Sequence, residues 1–430
     1  MRGFLDFIKD TPTAFHAANK IANILKGNGY IELNESEEWN LERGGKYFFT
    51  RNQSSVFAWE IPMDFRDLSF NITAAHLDSP TFKLKPNFTL DQGKYIKLNT
   101  EVYGGPIFMS WLDRPLNIAG KVMVMEKNKV KTKLLSFNRA ICMIPNCSIH
   151  YNRELNKGYA FNPQNEMLPI FTDNKNNDLL DLIAKELNVC KEDILSYDLY
   201  LALLDRGMLV GPNNEFVMAP QIDNLECSYG LLNALLSEVP AKGTVNVMCL
   251  FDNEEIGSAT RQGAASTTLY DLLERITLSL GLSSEEFRRS LASSYFISAD
   301  NAQGFHPSYA SKYDPTNACY MNEGIVVKNA ARGSYTTDAY SLAIFKVLCE
   351  RSGARYQLNT NRSDVPGGST LGAISQTKVS IPSVDIGLAQ VAMHSSYETA
   401  GAKDLDDLVK AIKEFYHTHF HTINDGTVEF

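Results

Sequence analysis

No two cysteines in this chain stand in a CxxC arrangement. The seven that occur (Cys142, Cys147, Cys190, Cys227, Cys249, Cys319 and Cys349) are odd in number and irregularly spaced. That usage argues against a disulfide scaffold and a thiolate zinc site, and suits a reducing cytoplasm. Lysine and arginine never gather into a run, and the formal net charge is −9. A nucleic-acid partner is therefore not expected. No apolar stretch approaches the length of a membrane span. The opening MRGFLDFIKDTPTAFHAANK lacks both the apolar core and the cleavage pattern of a secretory signal. Internal repeats and low-complexity linkers are missing as well. What remains is an ordinary globular composition, 44% hydrophobic and 21% charged. At 430 residues the chain has room for one large domain and a smaller one.

Periodicity divides the chain in three. Thr11-Pro12-Thr13 can start a helix, and AFHAANKIANIL follows with helical apolar spacing. FNITAAH reads as a strand ending at His76. From about Phe88 short alternating segments (YIKLNTEVY, AGKVMVMEK, KVKTKLLSF) mark a β-rich module. It also contains a helix, NNDLLDLIAKELN, and a further strand, LYLALL. Near Met218 strands and helices alternate again. VNVMCLF, YFISAD, GIVVKNA and VSIPSVDIGL read as strands; TTLYDLLERITLSLGL, SEEFRRSLASS, TTDAYSLAIFKVLCERSG and the tail DLDDLVKAIKEFYHTHFHTI read as helices. The expectation is an α/β fold, a mixed but mostly parallel sheet flanked by helices on both faces. The discontinuous main domain would span 1–87 and 215–430, with a β-rich insert at 88–214.

The acids and imidazoles cluster at strand ends. In FDNEEIGSAT two adjacent glutamates, Glu254 and Glu255, follow the apolar strand VNVMCLF. Neighbouring carboxylates repel, and burying either costs free energy unless it is paired or binds a metal. TAAHLDSP sets His76 and Asp78 two apart, so that Asp78 can accept the second ring N–H of His76. QIDNLECS places Asp223 before a helix, as an N-cap or as an acid whose two oxygens bridge two cations. Asp300 follows the strand YFISA, and His394 follows SVDIGLAQ. Carboxyl ends of strands are where open α/β sheets bind ligands. Singly, His76 with Asp78 reads first as a structural strand-end pair and Asp223 as an N-cap, and Asp300 and His394 could be ordinary loop residues. Together, His76, Asp223, Glu255, Asp300 and His394 make a nitrogen and oxygen set suited to zinc, manganese or cobalt. Two such ions sharing a carboxylate form a hydrolytic pair, and Glu254, beside a ligand, is placed to carry the proton of an attacking water.

The stretches TPTAFHAA, TAAHLDSPTFKLKP, IPNCSIHYNRELNKG, FDNEEIGSAT, SADNAQGFHPSY, VVKN, GGSTLG and VAMHSSYETAG occur in order from near residue 11 to near 401. In this order they resemble the aspartyl aminopeptidase family, cocatalytic di-zinc exopeptidases that assemble into tetrahedral dodecamers. The resemblance implies two divalent ions per subunit, held by His76, Asp223, Glu255, Asp300 and His394 with Asp223 bridging. It implies Glu254 as general base and Asp78 in support of His76. It also implies that His150 reaches a neighbouring subunit's active site, that the insert builds a dimer, and that Lys328 lies at the floor of the pocket for the first side chain. An ammonium there would pair with an N-terminal Asp or Glu; the alternative is a lysine on an exposed strand edge, and the AAR that follows departs from acid-specific relatives.

The implied activity is removal of single N-terminal residues from short peptides in the cytoplasm. A neutral or broad preference, a di-metal deacylase of N-acyl amino acids and a catalytically silent assembly protein are the rival readings. YHTHFH (416–421) carries His417 and His421 at helical spacing, read as a surface or assembly feature. GGSTLG lacks the lysine of a phosphate loop and reads as a wall of the site.

Overall fold

Alternating burial builds the main sheet. In VNVMCLF, Met248 and Leu250 point to one core while Val245, Val247, Cys249 and Phe251 point to the other. All are buried, which is what a strand covered on both faces requires. The computed structural model describes residues 1–64, 67–237 and 239–430. Nine strands form this sheet: β1 (Ile31–Glu32), β2 (Lys46–Arg51), β3 (Ser55–Glu60), β4 (Ser69–His76), β5 (Thr244–Phe251), β6 (Tyr295–Ala299), β7 (Ile325–Asn329), β8 (Tyr356–Thr360) and β9 (Ser383–Gly387). Their order is β1-β2-β3-β5-β4-β6-β9-β7-β8. The pairs β5–β4, β4–β6 and β6–β9 are parallel. Their carboxyl ends therefore share one edge, where β4 ends at His76 opposite Phe251. The helices Ala14–Gly27, Ile222–Ser237, Ala339–Ser352 and Asp404–His417 contribute to one core, and Thr268–Ser279 and Ser284–Ala292 to the other. The mixed, mostly parallel sheet expected from the alternation is thus present.

A second sheet takes its strands from between Thr81 and Leu203. Strand Ile194–Leu203 pairs with both Thr81–Gln92 and Pro115–Glu126, which closes the sheet on itself around Phe82, Leu98, Trp111, Ile118 and Leu201. Closure leaves Lys129–Ser136, which pairs with Pro115–Glu126 alone, as the edge strand among the described residues. Division of the chain at 88 and 214 remains a proposal; sheet membership begins and ends a little earlier.

A third, five-stranded sheet has no counterpart in the expectations above. It orders Met208–Val210, Phe216–Ala219, Glu398–Gly401, Ala389–Val391 and Ala302–Gln303. These short strands lie within a few residues of Asp223, His394 and Asp300, so their pairing draws those three loops together.

The tail helix is shorter than expected. It ends at His417, and His421 lies in the strand His421–Asn424. The His417/His421 helical pair therefore does not form. The cause lies in β4: the buried Asn71 donates its side-chain N–H to the carbonyls of Phe415 (2.6 Å) and Thr418 (2.8 Å). These are the orphan acceptors of a helix end. Thr418 turns extended, and Phe420 swings into the core, 5.6 Å from the Tyr295 ring. Asn71→Ala would take this donor from both carbonyls, leaving Phe415 with only the Thr418 N–H (3.1 Å). The expected loss is about 1–3 kcal/mol of stability, read as a lowered thermal midpoint; an unchanged midpoint would contradict this account of the helix end.

Candidate metal centre

Five side chains converge at the carboxyl edge of the main sheet. His76 Nε2 lies 3.4 Å from Asp223 Oδ1 and 3.5 Å from Asp300 Oδ1. His394 Nε2 lies 3.5 Å from Asp223 Oδ2 and 3.5 Å from Glu255 Oε2. Among the described residues three groups are compact enough to hold a cation: His76–Asp223–Asp300 and Asp223–Glu255–His394, which share Asp223, and His76–Glu254–Glu255. One Asp223 oxygen faces each imidazole. Ligands ~2.0–2.1 Å from a tetrahedral zinc stand about 3.3–3.4 Å apart, close to these separations. Asp223 Oδ1 and Glu255 Oε1 are buried and accept no hydrogen bond among the described residues. Orphaned carboxylate oxygens at such a place fit cation binding.

Each donor is fixed by the chain around it. Asp78 takes three donors: the Tyr103 hydroxyl (2.8 Å) and the backbone N–H groups of Glu254 (3.1 Å) and Glu255 (3.2 Å). Its Oδ1 is 3.4 Å from His76 Nδ1, and its carbonyl oxygen is 3.1 Å from that nitrogen. Asp78 therefore orients His76 and the Glu254–Glu255 turn together. Asn253, with positive φ (63°), begins that turn and donates its side chain to Tyr103. His394 Nδ1 stands 3.2 Å from the Gly105 carbonyl, which leaves Nε2 facing the carboxylates. Gly104 has a φ of +70°, and a Cβ there would sit 3.1 Å from Glu255 Cβ. The loop leaving Tyr95–Tyr103 thus presses on two candidate ligands.

Burial sets the proton affinities. Burial would lower the His76 pKa, but the Asp223, Asp300 and Asp78 carboxylates around the ring raise it well above the usual value. Burial alone would raise Asp223; His394 and His76 hold it well below the carboxylate range. Glu255 is pushed well above its usual range by burial and by the Asp223 charge. Glu254, whose Oε2 is 4.0 Å from His76 Nε2, is pushed up to about 8, chiefly by burial.

Lys328 lies in β7, an interior strand, and is buried rather than on an exposed edge. Its ammonium is 3.7 Å from Asp300 Oδ2 and 5.6 Å from the centre of the Tyr335 ring. His150 is not part of the cluster; it is exposed on a turn within the inserted segment. GGSTLG precedes and enters the short helix Leu371–Gln376, where Thr370 donates to the buried Asp385.

One residue central to the site escaped the sequence reading. Glu398 is buried, and its carboxylate accepts the backbone N–H groups of Asp223 (3.0 Å) and His394 (2.7 Å). It stands inside VAMHSSYETAG, four residues after His394, but nothing local marks it as buried.

Donor set and fold together are those of a metal-dependent hydrolase. The family model for "Aminopeptidase I zinc metalloprotease (M18)" matches residues 7–416. A Clostridium acetobutylicum protein described as "Probable M18 family aminopeptidase 2" is 45% identical over 422 residues, 96% of this chain and 97% of its own. A Pseudomonas aeruginosa protein of the same description is 36% identical over 427 residues, with the same coverage. Among solved structures, that of the Ape4 and Nbr1 complex matches with a TM-score of 0.93 at 32% identity, over 97% of this chain and 85% of that one. The S. cerevisiae mApe1 dodecamer matches at 0.84 and 25% identity, over 96% of this chain and 95% of that one. The chain belongs to the M18 family of zinc metallo-aminopeptidases.

Metal removal has a signed consequence. Glu254 and Glu398 are each raised to about 8 and Asp252 to about 7, burial leading in all three. A raised carboxyl pKa gives stability that is present below the unfolded value, about 4, and lost as pH rises through the folded one. The raised His76 works in the same direction. Depressed Asp223 contributes a constant amount above its unfolded value. With chelator present, the thermal midpoint should fall between pH 5 and 8, and zinc should flatten that slope. A chelated protein equally stable across the range would contradict this account of the acids.

Proposed function

We propose that this aminopeptidase removes single N-terminal residues from short peptides at a centre of two divalent ions. The observation that carries this reading is the pair of donor triads sharing Asp223. His76, Asp223 and Asp300 would hold one ion, and Asp223, Glu255 and His394 the other, with zinc the first candidate and manganese or cobalt alternatives. When bound, such ions polarise the scissile carbonyl and acidify water.

The chain's own groups do the rest. Glu254 stands beside the ligands with proton affinity raised by burial. It takes the proton of the attacking water and delivers it to the leaving amine. Asp78 anchors the Glu254 and Glu255 backbone, so the base and its neighbouring ligand keep a fixed relation. His150, exposed on its turn, is assigned to a neighbouring subunit's site, where it would stabilise the substrate carbonyl. The assembly proposed is a tetrahedral homododecamer built from dimers, by analogy with the mApe1 dodecamer. Tyr151, 90% exposed beside His150, and the exposed Ile149 and Met143 offer apolar surface for such contacts. Seven free cysteines, with Cys147 and Cys190 exposed, favour the cytoplasm. Among the described residues no helix is long and apolar enough to cross a membrane.

Lys328 is proposed as selector for Asp or Glu at the substrate N-terminus. It is buried beside the centre; burial works against its charge, and Asp300, Tyr335, Asp385 and Asp223 together keep it charged. One observation favours a broader preference: Asp300 already pairs with this ammonium.

Two measurements separate these readings. On a panel of X-Ala dipeptides, Asp- and Glu-peptides should be cleaved fastest, and Lys328→Met should erase that preference. Faster release from Leu- or Met-peptides would keep the reaction and discard the role given to Lys328. Cleavage of N-acetylated peptides alone would overturn the free-amine requirement. Separately, Glu254→Gln should lower kcat by roughly 10²–10⁴-fold while metal content stays at the wild-type level; near-normal turnover would remove Glu254 from the mechanism.

A further inference from the structure

The loop that carries His394 is held in an unfavourable backbone conformation. His394 has a φ of +67° and Ala392 one of +58°. Each non-glycine residue in the left-handed region is costly and persists only where its surroundings impose it. Glu398 supplies that constraint. It begins the strand Glu398–Gly401, whose register with Phe216–Ala219 sets Glu398 opposite Ala219. The carboxylate thereby lies between two ligand-bearing segments that are 175 and four residues away. Oε2 accepts the Asp223 N–H at 3.0 Å and Oε1 accepts the His394 N–H at 2.7 Å.

Glu398 is itself oriented. Gln390 donates its side-chain N–H to Oε1 at 3.4 Å, and the Gln390 carbonyl accepts from Asn301 at 3.0 Å. Asn301 follows Asp300 directly. A buried line of polar side chains, Asn301–Gln390–Glu398, therefore joins the segments that present Asp300, His394 and Asp223. All three side chains are at most 3% exposed.

We propose that Glu398 is a positioning residue that sets the spacing between the two donor triads. Its two backbone contacts are to Asp223 and His394, both members of the Asp223–Glu255–His394 triad; only one belongs to the other. Loss of the carboxylate should therefore loosen the His394 triad selectively. The inference rests on the two-ion reading above.

The test is titration of the metal-free protein with cobalt(II), followed by visible absorption and chelator competition. Wild type should bind two ions per subunit. Glu398→Gln keeps the shape but turns an amide N–H toward one of the two backbone donors. It should keep one site at wild-type affinity and weaken the other roughly 10–100-fold, the usual cost of removing a group that orients a ligand. Gln390→Met, which leaves the carboxylate but frees it, should weaken the same site by less and serves if the first variant does not fold. Unchanged binding at both sites in the folded variants, or equal weakening of both, would overturn the proposal. A wild-type protein that binds fewer than two ions would overturn the two-ion reading itself, and this inference with it.

Discussion

Too many carboxylates share one small volume. Asp78, Asp223, Glu254, Glu255 and Asp300 surround His76 at the edge of the main sheet, and even the least covered of their side chains, Glu254, is only 16% exposed. Desolvation and mutual repulsion both oppose that arrangement. Among the described residues Lys328 is the one ammonium paired within the cluster, and it faces Asp300. The local environment therefore favours positive charge, which protons supply when metal is removed and divalent cations supply in a zinc enzyme. The raised pKa values of Glu254 and Glu255 and the depressed Asp223 express that single constraint.

The fold meets the constraint by convergence of short elements on one edge. Three parallel pairings align the ends of β5, β4, β6 and β9, which brings His76, Glu255 and Asp300 level. The small third sheet then ties in Asp223, His394 and Glu398 from distant parts of the chain. The inserted segment closes the arrangement from outside: Gly104 packs against Glu255, Gly105 faces the His394 ring, and Ser110 bonds to Ser396. Inserted and main segments are thus joined at the candidate ligands Glu255 and His394.

How much was legible in the sequence follows from the range of each interaction. His76, Asp223, Glu255, Asp300 and His394 were readable because each follows an apolar strand or enters a helix, and strand ends are local signals. The alternation that marks β4 and β5 is local too. Glu398 was hidden because a glutamate in SSYET has the appearance of any polar turn; its importance comes from a partner 175 residues away. The tail helix was overextended for a similar reason, since Asn71, 344 residues before Phe415, takes the carbonyl that would have continued it. Lys328 lay at a position named in advance, but its burial and its pairing to Asp300 depend on three strands assembling first. The role proposed for His150 depends on a second subunit, and its own surroundings are an exposed turn.

The central claim is that Asp223 bridges two cations, and anomalous diffraction tests it most directly. Crystals of the protein grown with zinc would be measured on both sides of the zinc absorption edge. The account predicts two anomalous peaks about 3.5–4 Å apart, one bounded by His76 and Asp300, the other by Glu255 and His394, with Asp223 between them. A single fully occupied peak, or two peaks that do not both contact Asp223, would contradict it.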